Sequence, residues 1–352
     1  MTSAPATAEP TAAEPSAGAP LFEIQRQAFE RLLARPERLH HALLLAGAPG
    51  IGKAAFAGAI AQSLLCETPR GERPAAAYAC GRCPACGWFA AGQHPDLRVL
   101  DLAPGKDGKM PSEISIDLVR DLEDFVGMTA FRDGARVIVI DPADALSPAA
   151  ANALLKRLEE PGERTVFLLV THRPDRLPAT VRSRCRTVTV PRPEPAAALA
   201  WLAAAAAVPA ADAAGLLAFA GGAPLHAREL ADPANLTAYR ALLEAIGAVP
   251  DTADIIVAER LGTMSATQWY PVLQRWIGDL IRVRAGAAPR FFPESASRLG
   301  QLARRSSLAA LTQAAIRLQR QANLTRHPLN PRMFAEAALA TYADAFAARN
   351  GT

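Results

Sequence analysis

Lysine is almost missing from this chain. It stands only at positions 53, 106, 109 and 156, so arginine supplies nearly all of the positive charge. The net charge is +4, too mild to argue for nucleic acid as a partner. Aromatic residues make up 6% of the chain, which leaves few platforms for stacked bases. No basic start followed by an apolar core marks a secretory signal. The alanine-rich run from Ala196 to Val208 is about 13 residues, short of the roughly 20 that a bilayer span needs. The expected setting is the cytoplasm, with no membrane contact. Cysteine is also scarce, at five, but four of the five fall between positions 66 and 86. In a reducing compartment such a cluster favours metal over disulfides. What the chain has is length and apolar content: 352 residues, half of them hydrophobic, enough for two to three domains. Residues 1–20 are rich in Ala, Pro, Thr, Ser and Glu and are expected to be a disordered tail.

The stretch from Arg136 to Arg186 organises the rest. Val137 to Ile140 is a wholly apolar, β-branched run that predicts a strand buried on both faces, and it ends in Asp141. Ser147 and Pro148 open a helix as N-cap and first helical residue, and Pro161-Gly162 stops it. Val166 to Val170 predicts a second buried strand, ending at Thr171. A turn and short helix from Leu177 to Cys185 then present Arg182, Arg184 and Arg186. Strand, acid, helix, strand, polar residue, arginine is the core order of a P-loop ATPase.

The loop itself lies upstream. His41 to Ala46 reads as a strand, Gly47-Ala48-Pro49-Gly50-Ile51-Gly52-Lys53-Ala54 as a phosphate loop, and the residues to about Leu65 as a helix. Gly47, Gly50 and Gly52 let backbone wrap a phosphate, and Lys53 with the helix N-terminus supplies positive charge. Ala54 departs from the pattern, because it has no hydroxyl for Mg²⁺. A second departure is Pro142, directly after Asp141, where a hydrolysing enzyme has a Glu to position water. The two defects fall on the two hydrolytic elements and argue against ATP hydrolysis at this site. A degenerate site that still grips ATP or ADP and a relict loop that binds nothing both fit the residues. Arg184 has two readings as well: an arginine finger reaching a neighbour's triphosphate, or a surface ion pair.

Cys66, Cys80, Cys83 and Cys86 follow the spacing C-x13-C-x2-C-x2-C, which suits a tetrahedral zinc, with Gly81 and Gly87 allowing sharp turns around the sulfurs. Nothing nearby offers an open coordination position or a general base, so the zinc reads as structural. As a separate nucleic-acid module the insertion is weak, having Trp88 and Phe89 but few basic groups. His94 reads as a turn residue, Leu97 to Asp101 as a strand, Pro104 to Pro111 as an exposed loop and Ser115 to Phe125 as a surface helix. Cys185 stands apart from the metal site.

Several of these pieces resemble one family. Ser183-Arg184-Cys185 is similar to the SRC motif of clamp-loader subunits within the AAA+ class. The run from Ala149 to Pro161, His94-Pro95-Asp96, the four cysteines and Asn323 to Arg332 resemble the delta-prime family of bacterial DNA polymerase III. The likeness runs from about Leu21 to the C-terminus. It implies an α/β fold: an AAA+ P-loop-type parallel sheet with helices and a zinc insertion, then a small helical lid and a C-terminal all-α collar. The implied divisions are 21–190 for the sheet domain with its zinc module at 66–86, 191–233 for the lid and 234–352 for the collar. In the collar region, breaks are expected at Pro271, Pro289, Pro293 and Pro328, with Trp269, Leu273, Trp276, Ile277, Leu280 and Ile281 as an apolar stripe.

The resemblance also implies a role. Such a subunit does not hydrolyse ATP; it is a stator in a five-membered ring with tau/gamma and delta subunits. Its SRC arginine, here Arg184, completes the ATP site of the adjacent tau/gamma subunit while the sliding clamp is loaded onto primed DNA. It is a component of the DNA polymerase III holoenzyme, the DNA-directed DNA polymerase. Thr171 matches the sensor-one position, Leu225 stands where ATPase members carry a sensor-two arginine, and Cys66, Cys80, Cys83 and Cys86 match the zinc ligands. The competing expectation is an active ATPase of the tau/gamma type.

Overall fold

A computed structural model describes residues 21–102, 111–127, 130–131, 134–206, 208–251, 254–326 and 330–347. The expected tail at 1–20, nearly all of the loop expected at 104–111 and residues 327–329 lie outside them. The chain divides into two compact units, residues 1–194 and 195–352.

In the first unit the elements run α1 (Glu23–Leu33), β1 (Ala42–Ala46), α2 (Lys53–Leu65), α3 (Pro84–Ala90), β2 (Leu97–Leu100), α4 (Ile116–Arg120), α5 (Leu122–Gly127), β3 (Arg136–Ile140), α6 (Pro148–Glu159), β4 (Thr165–Thr171), α7 (Ala179–Arg182) and β5 (Arg186–Thr189). The five strands form one parallel sheet in the order β2-β3-β4-β1-β5. This is the expected parallel sheet with helices. Every residue of β1 and β3 is buried, because helices cover both faces of their part of the sheet. Side chains alternate across the sheet. Leu44, Ile138, Phe167 and Leu169 join Val119, Leu122, Leu154 and Leu158 in one core under α4, α5 and α6. The intervening Leu43, Leu45, Val137, Leu168 and Val170 are buried on the opposite face, where α2 packs.

Three local expectations need correction. β5 is an additional edge strand, absent from the expected order, so Arg184 lies after β4 and just before a further strand. Its sequence, Arg-Thr-Val-Thr, is mostly exposed and carries no apolar run; pairing with β1 makes it a strand. The helix expected over Ser115 to Phe125 is two short helices with a turn at Asp121. Gly87 sits inside α3, while Gly81, at φ 72°, does take the left-handed conformation that glycine allows.

The second unit is all helix: α8 (Pro195–Ala206), α9 (Ala210–Phe219), α10 (Pro224–Leu230), α11 (Pro233–Ala248), α12 (Asp254–Gly262), α13 (Ala266–Arg284), α14 (Ala296–Arg304), α15 (Leu308–Gln321) and α16 (Pro331–Ala343). Residues expected as lid and as collar pack together within it. Phe219 lies 4.6 Å from the ring of Tyr239 and 5.7 Å from that of Phe292, and the guanidinium of Arg275 stacks 4.7 Å above Phe219. α13 is the centre of the collar core. Trp269, Leu273, Trp276, Ile277 and Leu280 are buried as expected, and the Trp276 indole N–H donates to Tyr342 Oη at 2.9 Å. Pro271 does not break α13, contrary to expectation. A mid-helix proline costs about 3 kcal/mol, but each large apolar side chain buried along the same helix returns about 1.5–3 kcal/mol.

Asp279 on α13 is fully buried and accepts three backbone N–H bonds, from Arg290, Phe291 and Phe292 at 2.7–2.9 Å. It fixes the loop between α13 and α14 and so seats Phe292 in the core. We expect Asp279→Ala to lower the stability of this unit by about 3–5 kcal/mol, read as a shifted urea midpoint by tryptophan fluorescence, since three buried donors lose a charged acceptor.

Candidate functional site

Parallel pairing brings strand ends to one edge. Ala46 at the end of β1 lies in register with Thr171 at the end of β4 and Thr189 of β5, and Ile140 of β3 pairs with Leu169. Gly47, Asp141 and Thr171 therefore meet at the carboxyl edge of the sheet, where open α/β sheets place their ligands. The Gly47 N–H donates to Thr171 O at 3.3 Å, and that of Asp141 to Leu100 O at 2.9 Å.

Gly47 has a steric reason: a Cβ there would lie 2.7 Å from Ile51 Cδ1 and 3.2 Å from Val190 O. Gly50 at φ 71° and Gly52 at φ 94° take left-handed turns, and Gly52 is the N-cap of α2. Lys53 is buried, and its Nζ donates to Ala48 O at 2.8 Å. Burial holds its pKa below the usual lysine range, against the pull of Asp141 and Asp144. The loop thus keeps its turns and its cation. Ala54, the second residue of α2, brings no hydroxyl, and Pro142, after Asp141, brings no carboxylate.

Two residues at this edge were not foreseen. Asp144 is a buried carboxylate that accepts from Thr171 Oγ1 at 2.7 Å and from the His172 N–H at 3.3 Å, and Arg173 Nε lies 3.7 Å away. It fixes the Thr171 hydroxyl. Its place three residues after Asp141 was the available signal. Gln25 on α1 is fully buried; its Nε2 donates to Ile51 O at 2.7 Å and to Pro191 O at 3.2 Å, tying α1 and the end of the sheet domain to the phosphate loop. A single glutamine in an amphipathic helix gives no such signal.

Ser183-Arg184-Cys185 stands on the end of α7. Ser183 Oγ and Arg184 Nη1 both donate to Thr180 O, at 3.0 and 2.9 Å, and Arg184 Nε donates to Glu159 Oε1 at 2.7 Å. Cys185 packs against the core beneath, where burial pushes its thiol up to about 11. The partners of Arg184 among the described residues lie on α6 and α7, not on the chain's own phosphate loop.

The four sulfurs of Cys66, Cys80, Cys83 and Cys86 lie within 4.8 Å of one another. The Cys66–Cys83 and Cys80–Cys86 separations are 3.9 and 4.0 Å. A tetrahedral zinc with bonds of about 2.3 Å needs sulfurs roughly 3.8 Å apart, so this donor set fits one. Cys80 Sγ accepts from Thr68 Oγ1 at 3.0 Å and from the N–H groups of Arg82 and Cys83. These donors, Thr68 first, hold the Cys80 thiol down to about 5, whereas burial pushes Cys86 up to about 12. A cation would draw all four to thiolate. Cys83 is also the N-cap of α3, so a sulfur of the cluster and the helix start coincide. His94 turns the chain into β2, but it is buried: its Nδ1 accepts the Asp96 N–H at 3.1 Å, and burial lowers its pKa.

Residues 24–194 match the family model described as DNA polymerase III, delta subunit. The chain is 46% identical over 213 residues to DNA polymerase III subunit delta' of Pseudomonas aeruginosa, covering 60% of this chain and 62% of that one. It is 40% identical over 179 residues to subunit delta' of Escherichia coli K12, covering 50% and 51%. Subunit tau of the same organism is 39% identical over 148 residues, or 42% of this chain and 21% of tau. The matched stretch thus spans about half to three-fifths of the length of these delta' relatives. No described helix is long and apolar enough to cross a membrane.

Burial pushes Asp141 up to about 6, against the pull of Lys53. A carboxyl with a folded pKa above its unfolded value holds its proton more tightly when folded. Its contribution to stability is present below about pH 4 and is lost as pH rises to about 6. Asp141→Asn is expected to be more stable than the parent at pH 7.5 by about 1–2 kcal/mol, with the gap closing as pH falls from 6 to 4 in thermal melts.

Proposed function

We propose, from a chain whose residues 24–194 carry the DNA polymerase III delta-subunit domain, that this protein is a delta-prime subunit of the bacterial clamp loader. It serves as a stator in a ring with tau/gamma and delta subunits and does not hydrolyse ATP. It supplies Arg184 to the triphosphate of an adjacent ATPase subunit while the sliding clamp is loaded onto primed DNA. The observation that carries this reading is a complete phosphate-loop scaffold at the sheet edge whose magnesium and water positions hold Ala54 and Pro142, beside a partly exposed guanidinium turned to none of its own loop residues. The first unit is then the AAA+ domain, and the second divides into lid and collar near residue 233. The tau relative favours a second reading, an active ATPase, but that reading leaves the same two positions without catalytic groups.

Zinc has a structural role in this proposal. Cys66, Cys80, Cys83 and Cys86 hold it, and it contributes charge that fixes four thiolates and closes a loop otherwise short of apolar core. No step of ATP chemistry passes through it.

Two measurements test these assignments. Arg184→Ala is expected to fold normally and to lower the DNA-stimulated ATPase at the site it serves in the reconstituted loader by at least about tenfold; an unchanged rate refutes the finger. The purified chain is expected to carry one zinc by metal analysis, and Cys80→Ser to lose most of it together with several degrees of melting temperature.

A further inference from the structure

Glu159 is the last residue of α6, where a negative charge opposes the helix dipole. Its place there is not explained by helix stability. Its Oε1 accepts from Arg184 Nε at 2.7 Å and also pairs with Arg184 Nη2. Thr180 O takes one N–H of Nη1 at 2.9 Å. A guanidinium has five N–H groups in a planar fork. Three are thus occupied, and among the described residues one is left on each terminal nitrogen. A pair of N–H groups on the two terminal nitrogens is the geometry that grips two oxygens of a phosphate. The backbone beneath is fixed as well: the Arg184 N–H donates to Val181 O at 3.1 Å and that of Cys185 to Arg182 O at 3.2 Å.

We propose that Glu159 is a positioning residue for Arg184. It holds the guanidinium by its side edge, so that the two remaining N–H groups face outward toward a neighbouring subunit's triphosphate. The inference rests on the arginine-finger reading of Arg184 and adds the group that orients it. Glu159 touches no substrate; it narrows the rotamers of a long, partly exposed side chain. A surface pair of this kind shifts such an equilibrium by up to about fivefold, and that sets the size of the effect.

The test uses the whole loader, reconstituted with clamp and primed DNA, and compares steady-state ATPase of four variants. Glu159→Ala is expected to lower kcat by about fivefold with KM for ATP unchanged. Glu159→Gln keeps an oxygen acceptor and is expected to stay within about twofold of the parent. Glu159→Ala combined with Arg184→Ala is expected to match Arg184→Ala alone. A reduced rate for Arg184→Ala with a parental rate for Glu159→Ala overturns the positioning role and leaves the finger standing. An equal loss from Glu159→Ala in both backgrounds also overturns it, because the loss then does not act through Arg184. A parental rate for Arg184→Ala overturns the finger reading on which the inference stands.

Discussion

The parallel pairing of β1, β3 and β4 is the constraint on which the rest of the first unit depends. Parallel strands must all point the same way, so the residues that follow them are forced to one edge. Gly47, Asp141 and Thr171 are far apart in the chain, yet Ala46 and Thr171 are ladder partners and Gly47 N–H bonds to Thr171 O. Burial on both faces makes the register costly to shift, since a slip of one residue would turn every side chain to the wrong face. The same edge then concentrates charge out of water: Lys53, Asp141 and Asp144 are all largely buried, and the pKa values of Lys53 and Asp141 move accordingly.

Such an edge can be kept for reasons other than hydrolysis. Asp144 spends its lone pairs on Thr171 and the following backbone, and Gln25 bonds the outer side of the loop. These bonds support the loop's shape whether or not a metal can be held there. In the proposed stator, rigidity is the useful property. α6 begins after Asp141 and the buried Asp144 and ends at Glu159, which pairs with Arg184, so one helix spans from the carboxyl edge of the sheet to that arginine.

The segment that holds the cysteines is organised by local backbone bonds more than by apolar packing. Only Cys66, Ala85 and Cys86 among residues 66–90 are buried apolar side chains. Thr68 and successive N–H groups converge on sulfur instead, and Arg73 ties the loop to the carbonyls of Ser63, Cys66 and Thr68. The second unit is the opposite case. Trp269, Trp276, Tyr239, Tyr270, Tyr342 and Phe292 belong to one continuous core, with the buried Asp279 as the polar pin at its edge.

By itself the sequence determined the strands that are apolar throughout, the capped helix from Pro148, the phosphate loop with its two missing groups and the cysteine spacing. Each of these is encoded in adjacent residues, through periodicity, caps and turn chemistry. Only the tertiary structure decided that Arg186 to Thr189 is a strand, that Pro271 stays within a helix, that Gln25 is interior and that Asp144 serves Thr171. Those outcomes depend on what a distant segment offers: an unpaired edge of β1, a core that outweighs a lost hydrogen bond, an orphan carbonyl at Ile51, a hydroxyl 27 residues away. The pairing of Glu159 with Arg184 belongs to the same class, since two exposed charges 25 residues apart become partners only when α6 and α7 pack together.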